Sequence, residues 1–108
     1  CTGKAHNPSN HSRNVCIFAN GELDRSATGS GVSARAALHY SRNEISIDQE
    51  ITIESILGTT MDVRVDELTE FGGYDSVIPE VSGTAYITGK NIHYFDPEDP
   101  LNKGFLLR

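Results

Sequence analysis

The sequence predicts an α+β fold in which a strand-rich sheet wraps around one central helix. Three observations carry this. Between about Gly29 and Arg42, Val32, Ala34, Ala36, Ala37 and Leu38 spread small apolar side chains over most of a helical circumference, the pattern of a buried helix. Beyond Asn43 the period changes to two, with Ile45/Ile47, Ile51/Ile53, Met61/Val63/Val65, Ala85/Ile87 and Ile92/Tyr94 each alternating with polar neighbours. Gly58, Gly72-Gly73, Ser82-Gly83 and Gly89-Lys90-Asn91 punctuate these runs as turns, and no internal repeat is evident.

In chain order, residues 1–13 are polar and loop-like, with Asn7-Pro8-Ser9 as punctuation. His6 and His11 lack accompanying cysteine or carboxylate ligands in this segment, so they read as exposed loop histidines rather than metal ligands. Residues 14–19 alternate as a strand, in which Cys16 is expected as a small buried hydrophobe. Asn20-Gly21 is a tight-turn signal that returns Glu22–Asp24 as a short partner strand. The helix follows, N-capped by Thr28 or Ser30. Its one long charged side chain, Arg35, either pairs with an anion or snorkels to solvent.

Composition bounds the partners. A chain of 108 residues makes one small domain that buries a modest fraction of its surface, and 37% hydrophobic content without tryptophan is thin for a self-sufficient core. A net charge of −6 and a pI near 5.0 argue against nucleic acid or an acidic membrane surface as partner. No apolar run approaches the roughly 20 residues that span a bilayer. Cys1 and Cys16 make no disulfide framework, which points to reduced thiols and a cytoplasmic location. The chain begins at Cys1 rather than Met, so the expectation is a fragment or a processed protein.

The stretch that carries chemistry is Asp24-Arg25-Ser26-Ala27-Thr28-Gly29-Ser30-Gly31. A helix N-terminus leaves about four backbone N–H groups unpaired at the positive end of its dipole. Gly29, Ser30 and Gly31 place such groups where an anion can reach the backbone, as for a carboxylate or phosphate. Asp24 adds a lone carboxylate for a cationic group of the same ligand. Together they suit a zwitterion such as an amino or imino acid. The run from Gly29 to Ala34 also fits the dinucleotide pattern G-x-G-x-x-A, with Asp48 nineteen residues after Gly29. That alternative fails on context, because the strand-like run ends near Ala19 and short β-type segments without crossover helices follow the helix.

The same residues resemble the second active-site motif of the proline racemase family. Asp24-Arg25-Ser26-x-Thr28-Gly29-Ser30-Gly31-Val32-x-Ala34-Arg35 matches it. So do Glu54-Ser55-Ile56-Leu57-Gly58-Thr59, Pro79-Glu80-Val81-Ser82-Gly83-x-Ala85, Ile87-Thr88-Gly89 and Asp96-Pro97-x-Asp99-Pro100-Leu101, ending in Gly104-Phe105-Leu106-Leu107. The resemblance runs from Arg13 to Arg108. Ala27 departs from it, since the family usually has proline there. Threonine at position 28 is the form found in dehydratases acting on trans-3-hydroxy-L-proline; racemases and epimerases of the family carry cysteine.

The resemblance implies a diaminopimelate-epimerase-like fold of two half-barrels, each around a central helix, with the active site between them. Residues 1–108 are then the C-terminal portion of the second half. The first half, whose cysteine-glycine-histidine stretch supplies the base that takes the α-proton, has no match here. It implies Asp24 as the partner of the ring nitrogen and Gly29, Ser30 and Gly31 as donors to the substrate carboxylate. Thr28 decides the reaction class. A cysteine thiol reprotonates Cα from the opposite face, whereas a threonine hydroxyl does not ionise usefully at pH 7. Proton removal then leads to loss of a neighbouring hydroxyl as water, with Thr28 either hydrogen-bonding that hydroxyl or filling space.

The leading expectation is thus part of a dehydratase, a lyase needing no cofactor and no metal. A proline racemase or hydroxyproline 2-epimerase is a second class, and a non-catalytic imino-acid-binding module a third. Expected partners are the small imino acid and the missing N-terminal half; a homodimer stays open.

Overall fold

The computed structural model describes residues 1–106. Leu107 and Arg108, which close the resemblance, lie outside the described residues. The chain is α+β, as expected. Its elements are β1 (Thr2–Gly3), β2 (Ser12–Asn14), β3 (Ile17–Phe18), β4 (Glu22–Leu23), α1 (Gly29–Ser41), β5 (Ile51–Glu54), β6 (Thr60–Phe71) and β7 (Tyr74–Gly83).

Five strands form one mixed sheet in the order β1-β2-β5-β6-β7, and β3-β4 form a separate hairpin. Only β2 and β5 are parallel, with Ser12 opposite Ile53. A parallel pair cannot be joined by a tight turn, and here α1 lies in the long connection between them. Beyond it the chain runs as an antiparallel meander. The β6–β7 turn is two residues long, and Gly72 and Gly73 both have positive φ, 60° and 81°, as a type I′ turn requires. Asn20-Gly21 turns β3 into β4 as the sequence predicts, with Gly21 at φ 93° and its N–H donating to Phe18 O.

The core lies between α1 and the sheet. Val32 and Ala36 on the helix pack with Ala27, Ile45, Ile51, Ile53, Val63 and Val65. Register places Ile51 opposite Val63 and Ile53 opposite Met61, so the alternation of both strands delivers one apolar face to the helix.

Four expectations are corrected. The helix is not buried all round: Val32 and Ala36 are covered, Ala37 is half-buried, and Ala34 and Leu38 are exposed, Leu38 at 43%. Alanine is the best helix former, so its presence on every face reports propensity as much as burial. Residues 14–19 are not one strand. Val15 N–H turns to Cys1 O, Cys16 O accepts from Asp24 N–H, and Cys16 is half-buried rather than core. Ile45 and Ile47 flank no strand; left-handed residues at Asn43 and Asp48 (φ 59° and 61°) keep that connection irregular, with Ile45 buried and Ile47 exposed. Finally, Ala85/Ile87 and Ile92/Tyr94 form no strands, and Ile87 and Tyr94 are 99% and 90% exposed. Among the described residues the sheet ends at β7, and these alternating runs add no strand to its free edge.

The outcome is an open molecule. Its radius of gyration is 18.5 Å, where about 13 Å is usual for a compact domain of about 100 residues. Tyr86, Ile87, Ile92, Tyr94, Phe95, Phe105 and Leu106 stand in solvent. Apolar surface on this scale marks a place where another surface packs.

Candidate functional site

Asp24 ends the β3–β4 hairpin and starts the turn into α1. Its Oδ1 accepts the Ser26 backbone N–H and the Ser26 hydroxyl, both at 3.0 Å, and its Oδ2 accepts the Thr28 hydroxyl at 2.8 Å. The Ser26 N–H, then the Thr28 and Ser26 hydroxyls, and Arg25 nearby hold the carboxyl below its ordinary range, so Asp24 is ionised at neutral pH. A carboxylate offers about four acceptor positions. Three are filled, and the free one lies on Oδ2.

Thr28 is the N-cap residue, yet its side chain makes no capping bond. Its hydroxyl is turned to Asp24 instead. The first helical hydrogen bond runs from Val32 N–H to Thr28 O at 2.9 Å, which leaves the N–H groups of Gly29, Ser30 and Gly31 ahead of it. The first turn of α1 contains no acidic side chain. An anion arriving there therefore meets backbone donors and the positive end of the dipole with no resident carboxylate in competition.

The backbone at Thr28 is strained. Its φ of 66° with ψ 109° lies outside the left-handed well, in a region a β-branched residue rarely enters. Such outliers cost of order 1–3 kcal/mol and persist only where surroundings over-determine them. Here the surroundings are explicit. The peptide joining Ala27 to Thr28 is bonded on both sides: Thr28 N–H donates to Ser26 Oγ at 3.0 Å, and Ala27 O accepts Asn14 Nδ2 at 2.8 Å.

Asp24, Arg25, Ser26 and Ala27 form one wall of an open cleft of about 570 Å³. The facing walls are Leu57–Met61 and residues around Tyr86. The Leu57 wall is a tight turn, fixed by Ser55 N–H to Thr59 O at 2.7 Å, the Ser55 and Thr59 hydroxyls at 2.7 Å, and Gly58 at φ 85°. Thus Asp24 and Thr28 come together directly, with Asp24 in the cleft. Gly29, Ser30 and Gly31 sit beside it at the helix start and do not line it.

The two glycines differ in kind. A Cβ on Gly29 meets nothing within 4 Å, so its openness is toward solvent and any arriving anion. A Cβ on Gly31 lands 2.8 Å from Asn14 Nδ2, so Gly31 is also required by packing beneath the helix. Gly31→Ala is expected to destabilise the protein by about 1–3 kcal/mol through overpacking, outweighing the roughly 0.5–1 kcal/mol that alanine returns in a helix. Gly29→Ala should leave the urea midpoint close to the parent's, and equal midpoints for the two variants would contradict this division.

Sequence reasoning missed three residues. Ser26 holds Asp24 and Thr28 N–H, and an Asp-x-Ser turn signature was available to find it. Asn14 acts from β2, across the fold, with no local signal. Glu54, within the matched stretch Glu54–Thr59, is a buried carboxylate accepting His6 N–H and Asn7 N–H (both 2.8 Å), Asn10 Nδ2 (2.9 Å) and an Arg13 guanidinium N–H (3.2 Å). It pins the loop of residues 6–10 to β5. The two backbone donors, with Asn10 and Arg13, hold its pKa down to about 2 from the ordinary 4.5. Because the folded value is the lower one, the stabilisation is complete above about pH 5 and is lost as pH falls from 4.5 towards 2. Glu54→Gln should flatten the acid limb of a stability-against-pH curve, and an unchanged limb would contradict the clamp.

Arg35 neither pairs with a carboxylate nor points freely to solvent. It donates to Arg13 O at 3.4 Å and faces His39 Nε2 at 3.1 Å, while His39 Nδ1 is paired with Glu44. His11 stands edge-on to His39, with ring centroids 4.7 Å apart. Among the described residues no group of three or more His, Cys, Asp or Glu could hold a metal ion, and no helix is long and apolar enough to cross a membrane.

With this geometry in place, comparison with known proteins is decisive about kinship. The family described as proline racemase matches residues 1–106. The chain belongs to the proline racemase family. It is 59% identical to a trans-3-hydroxy-L-proline dehydratase of Colwellia psychrerythraea over 98 residues, covering 91% of this chain and 28% of the relative. It is 48% identical to a proline racemase of Acetoanaerobium sticklandii over 99 residues, 92% of this chain and 30% of the relative. In structure it resembles a hydroxyproline epimerase from Agrobacterium vitis solved with bound trans-4-OH-L-proline, with a TM-score of 0.77 at 29% identity, over 98% of this chain and 30% of that one. This proline racemase family chain thus spans about 30% of the length of the relatives it matches.

Proposed function

We propose that this chain is the substrate-holding part of a trans-3-hydroxy-L-proline dehydratase, the C-terminal portion of the second of two similar halves. The observation that carries the reading is Thr28: its hydroxyl is bound to Asp24 at 2.8 Å, and the motif resemblance implies cysteine at this position in the family's racemases. The similarity of 59% to a protein of that name supports it.

In this reading the substrate carboxylate rests on the N–H groups of Gly29, Ser30 and Gly31, and its ring ammonium on the free acceptor of Asp24 Oδ2. Charge that develops on the carboxylate as Cα loses its proton is stabilised by those donors. The base is a cysteine thiolate in the part of the protein this chain does not include. The electron pair of the broken Cα–H bond forms the ring double bond and expels the 3-hydroxyl. It leaves as water with the proton the thiolate took, since in the trans isomer the α-hydrogen and the 3-hydroxyl share one face of the ring. The product is pyrroline-2-carboxylate. Thr28 offers Cα no second ionisable acid, so elimination outruns reprotonation. Neither cofactor nor metal has a part in this scheme, and the enzyme works in the cytoplasm.

The exposed apolar residues from Tyr86 to Leu106 support a further element of the reading, that the missing half packs there and closes the cleft. A 2-epimerase is the second reading, favoured by the likeness to the hydroxyproline epimerase structure. The test uses the complete protein and the 108-residue chain side by side on trans-3-hydroxy-L-proline. The complete protein should form pyrroline-2-carboxylate and keep its activity in chelator. The chain alone should give no turnover, since loss of a general base removes at least ~100-fold of rate. Clear conversion by the short chain would overturn the division of labour.

A further inference from the structure

We infer that Asn14 is a positioning residue for the reaction, acting through the backbone of Thr28; the inference rests on the site reading above. Asn14 lies at the end of β2, remote in sequence from the motif, and is 7% exposed. Burying a side-chain amide is costly unless it is hydrogen-bonded. Its Nδ2 donates to Ala27 O at 2.8 Å. A carbonyl only accepts, so the amide nitrogen must face it.

That bond acts where it matters geometrically. Ala27 O and Thr28 N–H belong to one peptide plane. Asn14 holds the carbonyl side and Ser26 Oγ holds the N–H side at 3.0 Å, so the plane cannot swing. The far side of Thr28 is fixed too, because its own carbonyl accepts Val32 N–H at 2.9 Å. With both flanking peptides held, Thr28 stays at φ 66°, and its hydroxyl is delivered to Asp24 rather than to the helix N–H groups. Release of the Ala27 carbonyl frees the strained residue to relax toward an ordinary N-cap, in which the hydroxyl would bond the helix donors that the substrate carboxylate needs. Gly31 belongs to the same device: a Cβ there lands 2.8 Å from Asn14 Nδ2, so the amide occupies space only glycine leaves open.

The consequence concerns substrate capture more than turnover. A relaxed Thr28 withdraws its hydroxyl from Asp24 Oδ2 and sets it on the helix N–H groups, in competition with the substrate carboxylate. A hydrogen bond to a charged group contributes about 1.5–3 kcal/mol, which is about 10–150-fold in binding.

The test compares Asn14→Asp and Asn14→Ser in the complete enzyme with the core variant Ile45→Ala, which loses thermal stability away from the site. Asn14→Asp keeps the shape but opposes a carboxylate to Ala27 O. It should raise KM for trans-3-hydroxy-L-proline by about 10-fold or more near pH 8 with kcat little changed. The deficit should shrink as pH falls, because the protonated acid donates to Ala27 O again. Asn14→Ser, too short to reach, should bind substrate weakly at every pH. Wild-type KM and pH profile in Asn14→Asp would overturn the role, as would an equal rise of KM in Ile45→Ala. If the parent enzyme does not dehydrate 3-hydroxyproline, the dehydratase reading fails separately. Asn14 is then judged by a crystal structure of Asn14→Ser: Thr28 relaxed from positive φ supports the role, and Thr28 unmoved refutes it.

Discussion

Thr28→Cys in the complete enzyme is expected to exchange the α-proton of L- or D-proline with solvent, a reaction absent from the parent. The thiol would stand at the start of α1, where the helix dipole lowers its pKa. Asp24 acts in the opposite direction, since its Oδ2 lies 2.8 Å from the present hydroxyl and opposes a thiolate. Two features decide for exchange. Ser26 already draws on the Asp24 charge through two hydrogen bonds to Oδ1, and in the proposed binding mode the substrate ammonium takes what remains of Oδ2. Cysteine is also unbranched at Cβ and tolerates φ 66° with less strain. Dehydration should fall in the same variant, because a second acid returns a proton to Cα before the 3-hydroxyl leaves. An effect limited to the loss of a side-chain cap, about 0.5–2 kcal/mol of stability, does not apply, for the threonine side chain makes no such bond. A folded Thr28→Cys protein that incorporates no deuterium into proline would remove Thr28 as the residue that selects the reaction.

Asp24→Asn should be the most damaging single change to substrate capture. Three donors converge on this carboxylate, from Ser26 N–H, Ser26 Oγ and Thr28 Oγ1. An amide presents one oxygen and one NH2 group, so its donor must face either the Ser26 pair or Thr28. If the oxygen serves Ser26, the NH2 group meets both the Thr28 hydroxyl and the incoming ring ammonium. A hydrogen bond to a charged group contributes about 1.5–3 kcal/mol, so kcat/KM of the complete enzyme should drop about 10–150-fold. Asp24→Glu would not rescue it, because the longer side chain cannot keep the turn through Ser26. An Asp24→Asn enzyme with near-parent kcat/KM would mean that the ring nitrogen binds elsewhere.

The parts of the fold that were legible in the sequence were those set by local chemistry. Asn20-Gly21 and Gly72-Gly73 announce hairpins because glycine adopts positive φ cheaply, and both turns are present with Gly21, Gly72 and Gly73 at positive φ. The alternation of Ile51/Ile53 and Met61/Val63/Val65 reads as strands because those strands have a face to bury. The same alternation at Ala85/Ile87 and Ile92/Tyr94 forms no strand, since alternation makes a strand where there is a face to cover, and Ile87, Ile92 and Tyr94 cover none. Small apolar residues around α1 read as burial, but alanine serves helix propensity equally, and Ala34 is exposed.

At the site the pattern is similar. The turn from Asp24 to Gly31 is contiguous, so its capacity for an anion beside a carboxylate could be read directly. The contacts that hold it could not. Asn14 reaches Ala27 O from β2, and Glu54 gathers its donors from residues 6–13, more than 40 positions away in sequence. Nor does a sequence show that the Thr28 hydroxyl prefers Asp24 over the helix N–H groups; that choice depends on a backbone angle fixed by these distant bonds.

The central claim is that threonine at position 28 commits this site to elimination. It is tested most directly by incubating the complete enzyme with trans-3-hydroxy-L-proline in deuterium oxide and analysing the mixture before completion. The account predicts pyrroline-2-carboxylate as product, with recovered substrate unchanged in configuration and free of deuterium at Cα. Recovered material that is epimerised and deuterated at Cα, with no pyrroline-2-carboxylate formed, would contradict it.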